Sequence, residues 1–344
     1  MAYRRPRRAH HGRSRGGGVR REVAVTDFRS YYGRPVVRPA VWRKDIAGYL
    51  FTGGLAAGSA LLAAGADLTG RPGLRRVGRL TALGALGAST YFLVNDLGRP
   101  ARFHHMLRVA KPTSPMSVGT WILAAFGPAA GLAAVSEIAP RLPGGPARTA
   151  ATAAGRAAGL AAAAVAPALA TYTGVLLADT ATPSWHEAYP ELPFVFAGSA
   201  LAAGAGMALV AAPLAETGPA RRVAVAGAAL ELYGSHRVEN ELGLLSEPYK
   251  QGRPGRLLRA GRALTAAGVV GALLGRRSKV MSVLSGAALL AASVATRFGI
   301  FEGGIASAAD PRYTVVPQRE RLDRITRTPS TPVTAAPERA PAQD

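Results

Sequence analysis

The sequence predicts an all-α integral membrane protein with about eight transmembrane helices arranged as two four-helix bundles. One observation behind this is a series of Ala/Leu/Gly/Val runs, each near the ~20 residues that a ~30 Å hydrocarbon core requires at ~1.5 Å per residue. Another is their confinement: residues 1–45 hold 13 Lys/Arg, the last 40 residues are polar and Pro-rich, and the apolar content lies between. A third is the mean hydropathy of +0.13, which is low only because the charged ends dilute the apolar interior.

The helices are expected at 46–66, 77–97, 115–139 and 151–178, forming a first bundle over 46–178, and at 190–213, 221–240, 257–275 and 279–300, forming a second over 179–300. Residues 1–18 are rich in Arg, His and Gly and cannot bury enough surface to offset ordering, so the basic segment 1–45 is expected to be mostly disordered. No short apolar region and small-residue cleavage site follow its arginines, so a signal peptide is not expected. Residues 301–344 form a polar tail. The sixth segment is interrupted by Glu231, Tyr233, His236, Arg237 and Glu239. Charge at the bilayer centre costs about 3 kcal/mol per residue, so seven helices plus a half-inserted segment is the competing count.

With eight helices both termini share one side, which carries 26 Lys/Arg against 10 on the other. The positive-inside rule then puts both termini in the cytoplasm, in a plasma-membrane protein. The net charge of +22 is read as orientation and attraction to anionic membrane lipid, and no nucleic-acid partner is expected. The chain has no Cys, so thiolate-bound zinc and iron-sulfur clusters would have to sit on another chain.

Small residues mark close helix packing at Gly54-x-x-x-Gly58 in the first helix and Gly127-x-x-x-Gly131 in the third. Pro128 and Pro167 remove amide donors inside the third and fourth helices and are expected to kink them.

The second helix ends in Asn95-Asp96-Leu97-Gly98-Arg99-Pro100. A carboxylate at that depth takes a cation partner or serves a proton path, so Asp96 is either the ion-pair partner of Arg99 or a proton-handling group. The following residues 101–110 alternate apolar and basic positions at helical spacing and should lie flat in the interface. Loop residues 179–189 hold Asp179, His186 and Glu187 without Lys or Arg. That loop reads as a site of proton exchange or partner docking, with Glu187 a second proton-handling candidate, or as an ordinary interfacial loop with Trp185 as a membrane anchor. Glu231, His236 and Glu239 suggest a proton route in the second bundle, with Arg237 and Arg297 as counter-charges. Only His236 lies inside a helix, so a heme held by two axial histidines is not expected, and no metal site is. Residues 310–317 read as an extended strand against a partner or as a solvated tail.

Four strings together carry a family resemblance: Tyr49-Leu50-Phe51-Thr52-Gly53-Gly54-Leu55-Ala56-Ala57-Gly58, then Asp96-Leu97-Gly98-Arg99-Pro100-Ala101-Arg102-Phe103, then Lys111 to Trp121 with its Pro-Thr-Ser-Pro run, and Pro183-Ser184-Trp185-His186-Glu187. In this order and spacing, over about residues 28–200, the chain resembles the NrfD/PsrC family of membrane subunits. The resemblance implies a quinone pocket in the first bundle, with menaquinone the expected ligand, near a surface where an iron-sulfur subunit docks and beyond it a molybdopterin-type catalytic subunit. It implies no heme or cluster on this chain. Tyr49 stands where family members commonly carry His, and Tyr172, within Thr171-Tyr172-Thr173-Gly174-Val175, matches the family's Tyr-bearing segment. These two phenols are the implied quinone-binding residues, one donor for each carbonyl. Taken alone, a Tyr in a membrane bundle more often bonds a neighbouring backbone carbonyl.

A small-molecule or ion transporter is the alternative from another class, and the absence of an evident repeat of the first-half motifs in the second half stands against it. A purely structural anchor is the third reading, on which neither phenol matters for electron transfer.

Overall fold

The computed structural model describes residues 35–141 and 143–327. The expected disorder of 1–18 and the Pro-rich end of the chain lie outside them. The helices are α1 (Lys44–Leu68), α2 (Pro72–Asp96), α3 (Pro115–Val135), α4 (Pro146–Ala178), α5 (Pro183–Glu187), α6 (Leu192–Ala211), α7 (Gly218–Glu241), α8 (Glu247–Lys250), α9 (Gly252–Leu274), α10 (Lys279–Ala309) and α11 (Arg312–Arg327). Pro stands at the first or second position of α2, α3, α4, α5, α6, α7 and α8, where its missing N–H costs nothing and its fixed φ suits a helix start.

Among the described residues, seven helices are long and apolar enough to cross a membrane: α1, α2, α3 with its short continuation to Pro140, α4, α6, α9 and α10. The chain is an all-α, multi-pass membrane protein. The sixth expected segment forms as the 24-residue α7 but falls short of that apolar threshold. Two of the charges that interrupt it have ion-pair partners within the fold: Arg237 bridges Glu191 at 3.4 Å and Glu241 at 2.5 Å, and Glu239 pairs with Arg262 of α9.

α1 is the hub. It packs against α2, α4, α6 and α10, and most of its residues are buried. The small residues Gly54 and Gly58 make this possible, as expected. A Cβ on Gly58 would lie 2.0 Å from the Ala200 carbonyl oxygen of α6, and one on Gly204 would lie 2.4 Å from the Gly58 carbonyl carbon. The two backbones therefore touch, as in other membrane helix pairs where lipid supplies no hydrophobic drive. The second expected pair does not behave this way. Gly131 has open space where a Cβ would go and Gly127 meets only Leu86 at 3.7 Å, an ordinary contact. The Gly-x-x-x-Gly spacing places small residues on one face but cannot say whether a neighbour occupies it.

Residues 100–108 wind as a 3₁₀ helix with no buried residue. Two further expectations are corrected. The last spanning helix does not stop at 300, because Gly303, Gly304, Ser307 and Ala308 are buried and extend α10 to Ala309. Residues 312–327 form a helix, neither a strand nor a loose tail. Asp310 Oδ1 accepts from the Arg312 amide at 2.9 Å, Arg312 pairs with Glu247 at 2.7 Å and Tyr313 is buried, which together fix the first turn.

At the far end of α1 and α2 lies an ion-pair group that no sequence pattern singles out. Arg75 and Arg79 each hold Glu137 at 2.9 Å and also reach Asp67 at 3.3 and 3.5 Å, tying α1 and α2 to the end of α3.

The packing yields a direct comparison. Gly58→Ala should destabilise the folded protein by roughly 1–3 kcal/mol through overpacking against α6, whereas Gly131→Ala should be neutral or slightly stabilising. Thermal unfolding of the two purified variants in one detergent checks this, and equal midpoints would contradict it.

Candidate functional site

The site grows from the start of α1. Arg43 is its N-cap residue and makes no side-chain cap. The capping acceptor comes from α2: Asp96 Oδ1 takes the Arg43 backbone N–H at 2.9 Å, and the Arg43 Nε lies 3.7 Å from the same oxygen. Arg43 also donates to the Asn95 carbonyl, and Asn95 donates to Asp45 at 3.1 Å. The expected Asp96–Arg99 pair is therefore corrected. Arg99 follows the end of α2 in a bend leading into the exposed 3₁₀ segment, while Arg43 is brought to Asp96 by the pairing of α1 with α2.

Below this cap, Tyr49, Asp96 and Tyr172 line one cavity of about 90 Å³, together with Trp42, Met106 and Met116. Tyr172 crosses α3 at Gly119, where a Cβ would lie 2.2 Å from the ring. No other residue leaves room for it. The Tyr172 hydroxyl is buried without a hydrogen-bond partner among the described residues, so it does not bond a backbone carbonyl. Buried hydroxyls are rarely left unpaired, which makes this one a donor in search of an acceptor. The Tyr49 backbone carbonyl is engaged by Ser89 at 3.4 Å on the α2 side.

Glu187 is not in this group. It pairs with Arg321 of α11 at 2.9 Å and lines a separate cavity of about 420 Å³ with Asp179, His186, Tyr313 and Arg321. Burial pushes the Tyr313 phenol above its ordinary pKa even though Arg312 beside it pulls the other way. The phenol thus stays protonated and donates to Glu247 at 3.2 Å. Trp185 is fully buried and no membrane anchor: its indole N–H donates to the Ile300 carbonyl at 2.9 Å and its ring stacks on Trp42 at 6.0 Å. Trp42 belongs both to this stack and to the tyrosine cavity.

In the second half, Arg297 is fully buried, donates to the Phe196 carbonyl at 2.7 Å and lies over the Phe196 ring at 4.0 Å. Among the described residues neither it nor Arg237 makes an ion pair with Glu231: Arg237 turns instead to Glu191 and Glu241. His236 bonds Asn240 on its own helix.

Sequence reasoning missed Trp42, Arg43, Met106, Met116 and Gly119. The two residues before α1 fell within a segment assigned to the basic tail, although the adjacent Arg43-Lys44-Asp45 marks a helix start. Gly119 carried no signal by itself.

A family model described as "Polysulphide reductase, NrfD" matches residues 36–228, more than half of the chain. The chain belongs to the NrfD family. No curated protein matches it. The NrfD match begins ahead of α1 and ends inside α7, so every residue lining the tyrosine cavity falls within it and α8 to α11 fall outside. NrfD proteins are generally membrane subunits of multi-subunit oxidoreductase complexes.

The cap geometry separates two carboxylate partners. Asp96→Ala should cost about 1 kcal/mol by leaving the α1 N-terminus uncapped, and Arg99→Ala should change stability by less than about 0.5 kcal/mol. Denaturation midpoints of the two variants distinguish Arg43 from Arg99 as the functional neighbour.

Proposed function

We propose that this NrfD protein is the quinone-reactive membrane subunit of a molybdopterin/iron-sulfur oxidoreductase in the plasma membrane, with both termini cytoplasmic. It would exchange electrons between menaquinone in the tyrosine cavity and a cluster on the partner iron-sulfur subunit. The observation that carries this reading is the buried, unpartnered hydroxyl of Tyr172, a residue that lines one cavity with Tyr49 and Asp96.

A quinone ring asks for a hydrogen-bond donor at each carbonyl, apolar walls and a proton source. Tyr172 and Tyr49 supply the donors, and Leu93, Leu123 and Leu176 supply the walls. Asp96 stands at the end of α2, where it can pass protons between water and the cavity. The cavity is smaller than the ~300–1,000 Å³ of typical ligand pockets, so the ring seats only when side chains yield. Met106 and Met116 are the ones built to do so, since an unbranched thioether changes rotamer at low cost. Two-electron reduction of the quinone takes up two protons, and the reverse reaction releases them. Glu187, in its own cavity behind α11, is the candidate for proton exchange at the surface.

Affinity purification of the full chain from native membranes should recover a cluster-binding subunit and a molybdopterin-type subunit in comparable amounts. In that complex, Tyr49→Phe and Tyr172→Phe should each lower quinone-linked turnover roughly tenfold, the loss of one hydrogen bond of about 1.4 kcal/mol, without changing partner recovery. Unchanged turnover in both variants would leave only a structural anchor. Recovery of the chain alone, with solute uptake by it, would favour transport.

A further inference from the structure

At the end of the molecule opposite the tyrosine cavity, the start of α7 and the end of α9 enclose a cavity of about 510 Å³ lined by Gly218, Arg221, Arg222, Val225, Leu273 and Arg276. It has three guanidinium groups and no carboxylate. Arg221 is buried, and its position is fixed by backbone: Nε donates to the Ala272 carbonyl at 3.0 Å and Nη2 to the Arg276 carbonyl at 3.3 Å. Arg276 lies close enough to Arg221 to repel it. Glu216, the nearest carboxylate along the chain, is turned to α2, where it accepts from the Leu74 amide at 2.8 Å. Of the other buried arginines, Arg79 is paired with Glu137, and Arg297 donates to the Phe196 carbonyl and lies over the Phe196 ring, so this cluster stands apart.

Repulsion among three cations around one cavity is relieved by a bound anion. The start of α7 adds to the attraction, since no side chain caps it and the free N–H groups at a helix start favour negative charge. Arg222 also borders a neighbouring cavity of about 370 Å³ that holds Arg71 and, again, no carboxylate. The rest of the lining tells what kind of anion fits. Val225 and Leu273 are partly exposed walls of the first cavity, and Val270 and Leu274 continue the exposed apolar surface beside them. Leu61, Leu62 and Val223 wall the second. The charged groups sit at the ends of helices, at headgroup level, with apolar surface leading toward the bilayer.

We infer that this cluster binds the phosphate of an anionic phospholipid, with Arg221, Arg222 and Arg276 around the phosphate and an acyl chain against Val225 and Leu273. The site is independent of the quinone reading, because it uses other helices at the other end of the molecule.

The test is native mass spectrometry of the full chain in mild detergent, titrated with phosphatidylglycerol, phosphatidylcholine or inorganic phosphate. Phosphatidylglycerol should be retained in preference to phosphatidylcholine. Arg222→Gln and Arg276→Gln, both at exposed positions, should each reduce that preference about fivefold. Arg277→Gln removes the same charge from a residue outside the cavity and should leave the preference unchanged. Equal retention of the two lipids, or equal effects of all three variants, would overturn the inference. Competition by inorganic phosphate at millimolar concentration, with no lipid preference, would assign the cluster to free phosphate and overturn the lipid assignment.

Discussion

The arrangement of this protein depends on one backbone contact, that of α1 with α6 at Gly58 and Gly204. Because neither residue has a Cβ, the two helices approach until main-chain atoms touch. The helices on either side are positioned by that approach. α2 and α4 pack on the flanks of α1, and α7 and α10 pack on α6. Gly54, one turn before Gly58, leaves room for the Arg297 guanidinium, which a Cβ would meet at 2.8 Å. The same strip of small residues thus brings two halves of the chain together and admits a buried cation between them.

The tyrosine cavity lies on the side of α1 that faces α3 and α4, and its form comes from the same economy of side-chain volume. Gly119 gives Tyr172 a place to lie, and the ring in turn closes one side of the cavity. Its hydroxyl is left without a protein acceptor in a region where an unpaired donor costs about 1–3 kcal/mol. A structure that needed Tyr172 only for packing would be served as well by Phe.

Much of this was legible in the sequence. The length and order of the apolar runs gave the helices, because a bilayer imposes a minimum length on anything that spans it. The strings around Tyr49, Asp96, Lys111 to Trp121 and Pro183 to Glu187 gave the family. Partners across space were harder to read. Arg99 is near Asp96 along the chain, but Arg43 is nearer in the fold because α1 and α2 are antiparallel neighbours. Trp185 resembles an interfacial anchor by composition, yet Gly304 opens a slot that buries it. Glu187 and Asp96 were read as two proton-handling candidates, and the fold separates them by placing Asp96 with the phenols and pairing Glu187 with Arg321 of α11.

The cap on α1 also bears on which substitutions the chain can accept. Asp96 holds the backbone N–H of residue 43, a group that every amino acid except proline provides. The capping bond thus constrains the two ends of the interaction unequally. Position 43 is open to drift in side-chain identity, while position 96 must keep a short acceptor, so sequence variation at the first is compatible with an unchanged helix start and variation at the second is not.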